Sequence, residues 1–192
     1  MNKLFFTCIA TLILACNSKE KNKESTKNTN ADNTIFYPYT YYIQTEADSL
    51  LKTKKTFLGN FTDSSGNKKP QVINTDYFKN IVNQFTSKDI TDSAIKRYFQ
   101  ETVFRDLTTN SIVMTYSTKS DNSTIKNVDI YLDGNNNNLK RIDLKVLYMK
   151  ADSSFTENYT WIIGKELHLV KYAEANGKGK LSRTNIQWNL KN

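Results

Sequence analysis

The sequence predicts an α+β fold: a curved antiparallel β-meander of about six or seven strands, with two N-terminal helices packed on one face. Three observations favour this class. Apolar residues in the first part of the domain recur at helical spacing, whereas later segments alternate apolar and polar residues. The connections between the alternating segments have the length of hairpin turns, which join antiparallel strands. Each strand has one apolar and one polar face, which indicates a sheet covered on one side only.

Two helices are predicted at the start of the domain. Over residues 39–53, apolar side chains repeat at helical spacing: Ile43, Ala47, Leu50 and Leu51. A second helix is expected to begin near Asn74 or Thr75, either of which could cap it, and to end near Thr86. Its buried face has the i, i+3, i+4, i+7 pattern: Phe78, Ile81, Val82 and Phe85.

The rest of the domain is predicted to be strands. Between the helices, residues 53–61 are rich in β-forming side chains and lead into a turn at residues 64–67. Residues 98–107 favour a strand, although a helix remains an alternative there. The later strands are expected over 111–118, 127–133, 139–149, 155–163 and 166–173, followed by a last strand after Gly177.

The pattern of residues 139–149 alternates most cleanly. Arg141, Asp143 and Lys145 point to the polar side, and the apolar residues between them point to the core. The alternation over residues 166–173 has an unclear phase, which predicts a β-bulge. Trp161 and Trp188 fall on apolar faces, so both are expected to be buried against the helices.

The N-terminus has the pattern of an export signal. Lys3 supplies a positive charge, and residues 4–15 form an apolar run. The run is too short to cross a hydrocarbon core of ~30 Å, which needs about 20 residues. It ends in Ala15-Cys16, which resembles the bacterial lipobox, where a small residue precedes the cysteine that is acylated. Residues 1–15 are therefore predicted to be a lipoprotein signal peptide, and an ordinary signal peptide is the alternative.

The lipobox resemblance implies that Cys16 is lipidated and anchors the chain to a membrane. Two or more acyl chains anchor stably, whereas one binds weakly. Asn17 follows the cysteine, and the enteric sorting rule then favours the outer membrane over the inner one, on its periplasmic or surface face. Residues 16–33 are predicted to be the acylated cysteine and a disordered polar tether. Residues 34–192 form the single predicted domain.

Composition excludes several functions. Cys8 lies in the signal peptide and Cys16 would be acylated, so the mature chain has no thiol for a disulfide, a metal or nucleophilic catalysis. The net charge of +8 is compatible with nucleic acid or with anionic surfaces. Export makes nucleic acid an unsuitable partner. A plain solvated surface is favoured, and the alternative is contact with a partner of the envelope, which could be a protein, a lipid or a glycan.

No catalytic, metal or cofactor residue is predicted. His168 is the single histidine, so a zinc site with several histidines cannot form. The loop that begins at Asp133 has the start of a calcium-loop spacing, but Asn138 and Leu144 stand where Gly and Glu are required. Carboxylate pairs for glycoside cleavage remain open among the acids of the strands, which are Glu101, Asp106, Asp129, Asp143, Glu157 and Glu166.

The segments 131–135 and 161–165, together with the lipobox, the Lys/Asn-rich tether and the early helix, resemble uncharacterised small lipoproteins of the Bacteroidota. This resemblance implies the same layout and transfers no catalytic residue. The favoured hypothesis is a non-enzymatic envelope lipoprotein that binds a partner or ligand through its sheet. The alternatives are a lipid or lipoprotein carrier with an apolar cleft, which the layout also resembles, and a hydrolase with an unrecognised site.

Overall fold

A computed structural model describes residues 35–188. The predicted signal peptide, Cys16 and the tether lie outside the described residues. The described chain is α+β, as predicted, but it has nine strands and three helices where fewer were expected. In chain order these are α1 (Tyr39–Lys52), β1 (Phe57–Thr62), β2 (Lys68–Ile73), α2 (Thr75–Thr86), α3 (Ser93–Lys96), β3 (Phe99–Asp106), β4 (Ser111–Thr118), β5 (Ile125–Asp133), β6 (Leu139–Lys150), β7 (Ser153–Ile162), β8 (Glu166–Ala175) and β9 (Lys178–Gln187).

The strands form one open antiparallel sheet. Strands β3 to β9 are a meander in which each strand pairs with the next. The β1–β2 hairpin then adds to the far side, because β1 pairs with β9. The order is β2-β1-β9-β8-β7-β6-β5-β4-β3, so β2 and β3 are the two edges.

The two long helices lie where their apolar spacing places them. Helix α1 buries one stripe, formed by Tyr39, Ile43, Ala47 and Leu50. Helix α2 begins after Asn74, whose side-chain oxygen accepts a hydrogen bond from the Tyr77 backbone N–H (2.8 Å). This is the expected N-cap, and it satisfies one of the free donors of the first turn. The predicted buried face of α2 is confirmed in full.

Both tryptophans are buried against the helices, as predicted. Their ring centroids lie 5.1 Å apart, and Phe78 of α2 contacts both rings, at 6.3 Å from Trp161 and 6.0 Å from Trp188. Phe78 also stacks on Phe57 of β1 at 4.0 Å. The core between the helices and the sheet is therefore an aromatic cluster, and burying each such side chain removes about 150–250 Å² from water.

Two strand predictions are wrong for identifiable reasons. Strand β2 was not expected, because only its last residue, Ile73, is buried. The bulge expected in residues 166–173 is absent, since β8 pairs with β7 and β9 without a register shift. Leu167 and Leu169 face the core while Val170 faces the other side, so apolar residues on both faces blur the alternation. The register shifts lie instead between β5 and β6.

Candidate functional site

The two faces of the sheet have different chemistry. The helices cover one face, which is apolar. The other face, here called the open face, is polar. The register aligns six half-buried polar residues straight across β4 to β9, one per strand: Thr115, Asp129, Asp143, Thr160, His168 and Asn185. This line, here called the polar row, is the candidate site. It exists because residues of the same alternation phase stand opposite one another in antiparallel strands.

At one end of the polar row, Asp129 is held by two neighbours. Its Oδ1 accepts a hydrogen bond from the Thr115 hydroxyl (2.6 Å), and its Oδ2 accepts one from the Asn127 amide (2.5 Å). Asp143 stands directly opposite on β6. Like charges placed directly opposite destabilise a sheet, so this carboxylate pair does not serve stability.

Asp143 is only partly neutralised. Arg141 Nε lies 3.1 Å from Asp143 Oδ2. The guanidinium carbon of Arg141 also lies 3.8 Å from the centroid of the Tyr131 ring, a cation–π contact. Burial raises the pKa of Tyr131, which keeps its hydroxyl neutral as a potential hydrogen-bond donor.

Beside the other end of the polar row, the carboxylate of Glu166 contacts three side chains. Its Oε1 lies 3.1 Å from His168 Nε2, and its Oε2 accepts from the amides of Gln187 (2.8 Å) and Asn185 (3.2 Å). Partial burial raises the pKa of Glu166, but the bonds from Gln187, His168 and Asn185 outweigh that effect and hold the pKa below its usual range. Glu166 is therefore an anion at neutral pH.

Two acceptor atoms in the polar row have no partner among the described residues. Asp143 Oδ1 and Asn185 Oδ1 each expose less than 1 Å² and accept no hydrogen bond. The Nε of Arg141 is also shielded, and its N–H makes no hydrogen bond despite its proximity to Asp143. Leaving a buried polar group unsatisfied costs about 1–3 kcal/mol. Because these atoms are shielded, a ligand at the polar row would contact the accessible parts of the same side chains, which are half-buried overall.

One acid of the strands faces the other way. Glu157 lies on the covered face and is 5% exposed. Its carboxylate lies 3.0 Å from Lys171 Nζ and 3.8 Å from Lys88 Nζ, and it accepts a hydrogen bond from the Tyr159 hydroxyl (3.0 Å). Burial lowers the pKa of Lys88, and the nearby negative charge of Glu157 opposes this effect. Burial is also the main cause that raises the pKa of Tyr159, and the charge of Glu157 adds to it. This buried network ties the loop after α2 to the sheet.

A second carboxylate joins a helix to the sheet. Glu46 of α1 accepts hydrogen bonds from Trp161 Nε1 (2.8 Å) and from the backbone N–H of Gly164 (2.6 Å). Burial raises the pKa of Glu46, and the two bonds oppose this rise. Both bonds serve packing, since they fix α1 over the β7–β8 turn.

The remaining candidate residues lie apart. Glu101 lies on edge strand β3. Asp106 accepts bonds from Thr108 and Thr109 in the β3–β4 turn. Asp133 Oδ1 accepts from the backbone N–H of Asn135 (2.9 Å), which fixes a turn. Within residues 35–188, no group of three or more metal-ligating side chains is assembled.

Of the six acids that the sequence left open for glycoside cleavage, the structure brings three to the open face: Asp129, Asp143 and Glu166. Sequence reasoning missed Thr160, Asn185 and Gln187 as members of the site. Each has the alternation phase that faces away from the core, which is a readable signal. Their meeting with His168 depends on the pairing register, which the alternation alone does not define.

The space between the helices and the sheet is filled by side chains that are almost fully buried, including Trp161, Phe78 and Phe85. A groove of about 160 Å³ between α1 and α2 is lined partly by Gln44, Asp48 and Lys79. A shallower groove of about 330 Å³ lies beside Phe155 and Lys171.

None of the helices in the described part of the chain is both long and apolar enough to traverse a bilayer.

Comparisons with protein-family models, with curated proteins and with solved structures find no match to this chain.

Proposed function

We propose that this chain is a lipid-anchored protein of the cell envelope, in the outer membrane, which binds a glycan through the open face without acting as an enzyme. The lipobox-like Ala15-Cys16 and the polar tether support the anchoring. The open face supports the binding. An envelope protein is the second candidate partner, because the polar row crosses six strands and offers an extended surface.

The single observation that carries the binding proposal is the polar row, in which six half-buried polar residues stand side by side across six adjacent strands. Sugar hydroxyls donate hydrogen bonds, and a ligand rich in hydroxyls can reach several acceptors along the polar row at once. Ligand sites use a few placed polar groups to orient what they bind. A lipid tail offers no donor to these atoms, so a glycan fits the chemistry better.

The alternatives fit less well. A hydrolase acting through two carboxylates needs one of them protonated as the general acid. Glu166 has a lowered pKa and is poorly suited to that role. A carrier needs room for acyl chains between helices and sheet, and in the described residues that region is occupied by the aromatic cluster around Trp161.

The binding proposal is tested by co-sedimentation with insoluble polysaccharide purified from the producing cell's envelope. Asp143→Ala and Asn185→Ala should each weaken binding about 10-fold, since a lost hydrogen bond to a charged or shielded group is worth ~1–3 kcal/mol. Asn80→Ala is the matched control, because Asn80 is exposed on α2. Vesicles of total envelope lipid form a second arm. Binding to vesicles alone, or equal binding by all variants, would refute the glycan proposal.

The anchoring proposal has its own test. Cys16→Ser should abolish labelling by radioactive palmitate and release the protein from sedimented membranes, because it removes the proposed acceptor thiol. A serine variant that remains labelled and membrane-bound would show that the lipobox interpretation is wrong.

A further inference from the structure

The two edges of the sheet differ in how they meet solvent. Edge strands present free backbone donors and acceptors, and proteins protect them with charged side chains, above all lysine, with proline or with short length. Strand β2 has such protection, since it carries Lys68, Lys69 and Pro70. Strand β3 has neither lysine nor proline, and its charged residues, Glu101, Arg105 and Asp106, are of both signs and lie away from its centre. Val103 and Phe104 at its centre are 50% and 51% exposed.

Further apolar side chains continue this surface. Tyr98 and Leu107, which flank β3, are also exposed. An exposed apolar edge strand is a template for pairing with another chain. The difference between the two edges therefore marks β3 as an interaction surface.

The backbone of β3 restricts how a strand could add to it. The carbonyl of Tyr98 accepts a hydrogen bond from the Lys119 N–H (2.7 Å), so this residue is directed towards the β4 side. Because backbone groups alternate along a strand, the N–H and C=O of Glu101, Val103 and Arg105 are directed to the free edge. A symmetric antiparallel pairing with hydrogen bonds at its centre must therefore centre on one of these residues.

We infer that β3 pairs antiparallel with β3 of a second copy of this chain, with Val103 opposite Val103 at the centre. Charge complementarity selects this register. It places Glu101 opposite Arg105 of the second copy and Arg105 opposite its Glu101, which forms two cross-strand ion pairs. Centring the pair on Glu101 would instead place two glutamates opposite each other, and centring it on Arg105 would place two arginines opposite each other.

Of the side chains that form these pairs, Glu101 is half-buried beside Tyr116 and Arg105 is exposed. Among the described residues, Arg105 uses only its Nη2, which donates to Asn110 Oδ1 and to the Gly134 carbonyl (both 3.2 Å). The guanidinium keeps other donors for a carboxylate. On the opposite side of the strand, Phe104 would lie against Thr102 of the second copy and lose part of its exposed surface.

The proposed pairing relates the two copies by a twofold axis, which determines how their faces are joined. A twofold axis perpendicular to the sheet joins the two open faces into one surface. It also leaves Phe36 of both copies, which packs on Tyr116, on the covered side. The first described residues of both copies would then lie on the same side of the joined sheet, which is compatible with anchoring both copies to one membrane. The pairing itself stands on the β3 edge and does not depend on that anchoring.

Disulfide trapping in cells that produce the full chain tests the inference. Val103→Cys brings two cysteines together across the axis, at the ~5.5 Å Cα separation of a hydrogen-bonded pair, which suits a disulfide. Val72→Cys on β2 is the matched control, because Val72 is an exposed valine of the other edge. The unsubstituted chain controls for Cys8 and Cys16. After oxidation with copper phenanthroline, Val103→Cys should give a dimer band several-fold stronger than Val72→Cys.

Charge exchange then tests the register. In the Val103→Cys background, Glu101→Arg or Arg105→Glu alone should reduce the dimer band several-fold, and the two together should restore it. Equal bands for Val103→Cys and Val72→Cys would overturn the pairing. Trapping that is insensitive to the single charge reversals would overturn the register. A disulfide between the Val103→Cys variant and a different protein, in place of the dimer, would overturn self-pairing and show that β3 has another occupant.

Discussion

The covered and open faces of this sheet use charged side chains in opposite ways. On the covered face, Glu157 and Glu46 both have hydrogen-bond donors or cations at their carboxylate oxygens, and each joins a helix or its following loop to the sheet. On the open face, Asp143 and Asn185 retain shielded oxygens without partners. Satisfied polar groups stabilise a fold, whereas unsatisfied ones cost stability and tend to be retained for function. Among residues 35–188, the covered face has one shielded polar atom without a partner, Trp188 Nε1, and the open face has three. We therefore assign stability to the covered face and binding to the open face.

The largest loss of stability is expected from a substitution at the centre of the covered face. Trp161→Ala removes a fully buried ring that contacts Phe78, Phe85 and Trp188. The free energy of unfolding should fall by about 3–5 kcal/mol, measured by urea titration with circular dichroism. Tyr41→Ala on α1, where the ring is exposed, is the control and should change it by about 0.5 kcal/mol or less. Similar losses for both variants would contradict the assignment of faces.

The buried network at Glu157 should give the next largest effect. Glu157→Ala leaves Lys171 and Lys88 without their carboxylate. Breaking a buried pair costs about 3–5 kcal/mol, and the partial exposure of Lys171 reduces the expected loss to about 2–3 kcal/mol. The same urea titration measures it. A loss below that of exposed substitutions would show that Glu157 does not stabilise the covered face.

The contribution of Glu46 to the stability of the fold should depend on pH in a defined direction. Its pKa in the folded state is raised, so its contribution to stability is fully present below the unfolded value of 4.5 and is lost as pH rises through the folded value. Glu46→Gln removes this titration. The free energy of unfolding of the unsubstituted chain, relative to that of Glu46→Gln, should therefore be larger at about pH 4 than at pH 7. Urea titration at each pH measures it. An advantage that grows towards pH 7 would contradict the raised pKa.

How far the sequence predicts this molecule depends on the range of the interactions involved. Helix α2 was predicted with its cap and its buried face, because spacing and capping are local. Strand β6 was predicted for the same reason, since one face alternates cleanly. Strand β2 was missed because its neighbours, and not its own apolar residues, hold it in the sheet.

The site is harder to predict than the elements that form it. Asp143 and Asn185 lie on strands three positions apart in the sheet, and only the register of β6 to β9 brings them into one row. Glu157 could have been assigned to the covered face, because it shares the phase of Phe155 and Tyr159. Its charge made a solvent-facing position the natural expectation, and the lysines from two other elements that neutralise it are not local in sequence.

His168 should contribute little to the stability or to the function of the protein. Its Nε2 contacts Glu166, but the side chain is partly exposed and Glu166 retains Gln187 and Asn185 without it. His168→Ala is expected to change the free energy of unfolding by about 0.5 kcal/mol or less and to complement a deletion strain at normal abundance. Loss of function at normal abundance, checked by immunoblot, would place catalysis or a histidine-centred ligand site ahead of the binding proposal.

The most direct test of the division between the faces is the unfolding free energy of the Asp143→Ala/Asn185→Ala double variant. Among the described residues, neither shielded oxygen has a partner to lose. The variant does remove the partly exposed Arg141–Asp143 pair and the Asn185–Glu166 hydrogen bond, which are each worth little at such exposure, and removing Asp143 relieves its opposition to Asp129. Stability should therefore stay within about 0.5 kcal/mol of the unsubstituted chain or rise above it. A loss of several kcal/mol, comparable to that of Glu157→Ala, would show that the polar row holds the fold together and would contradict its assignment as the binding face.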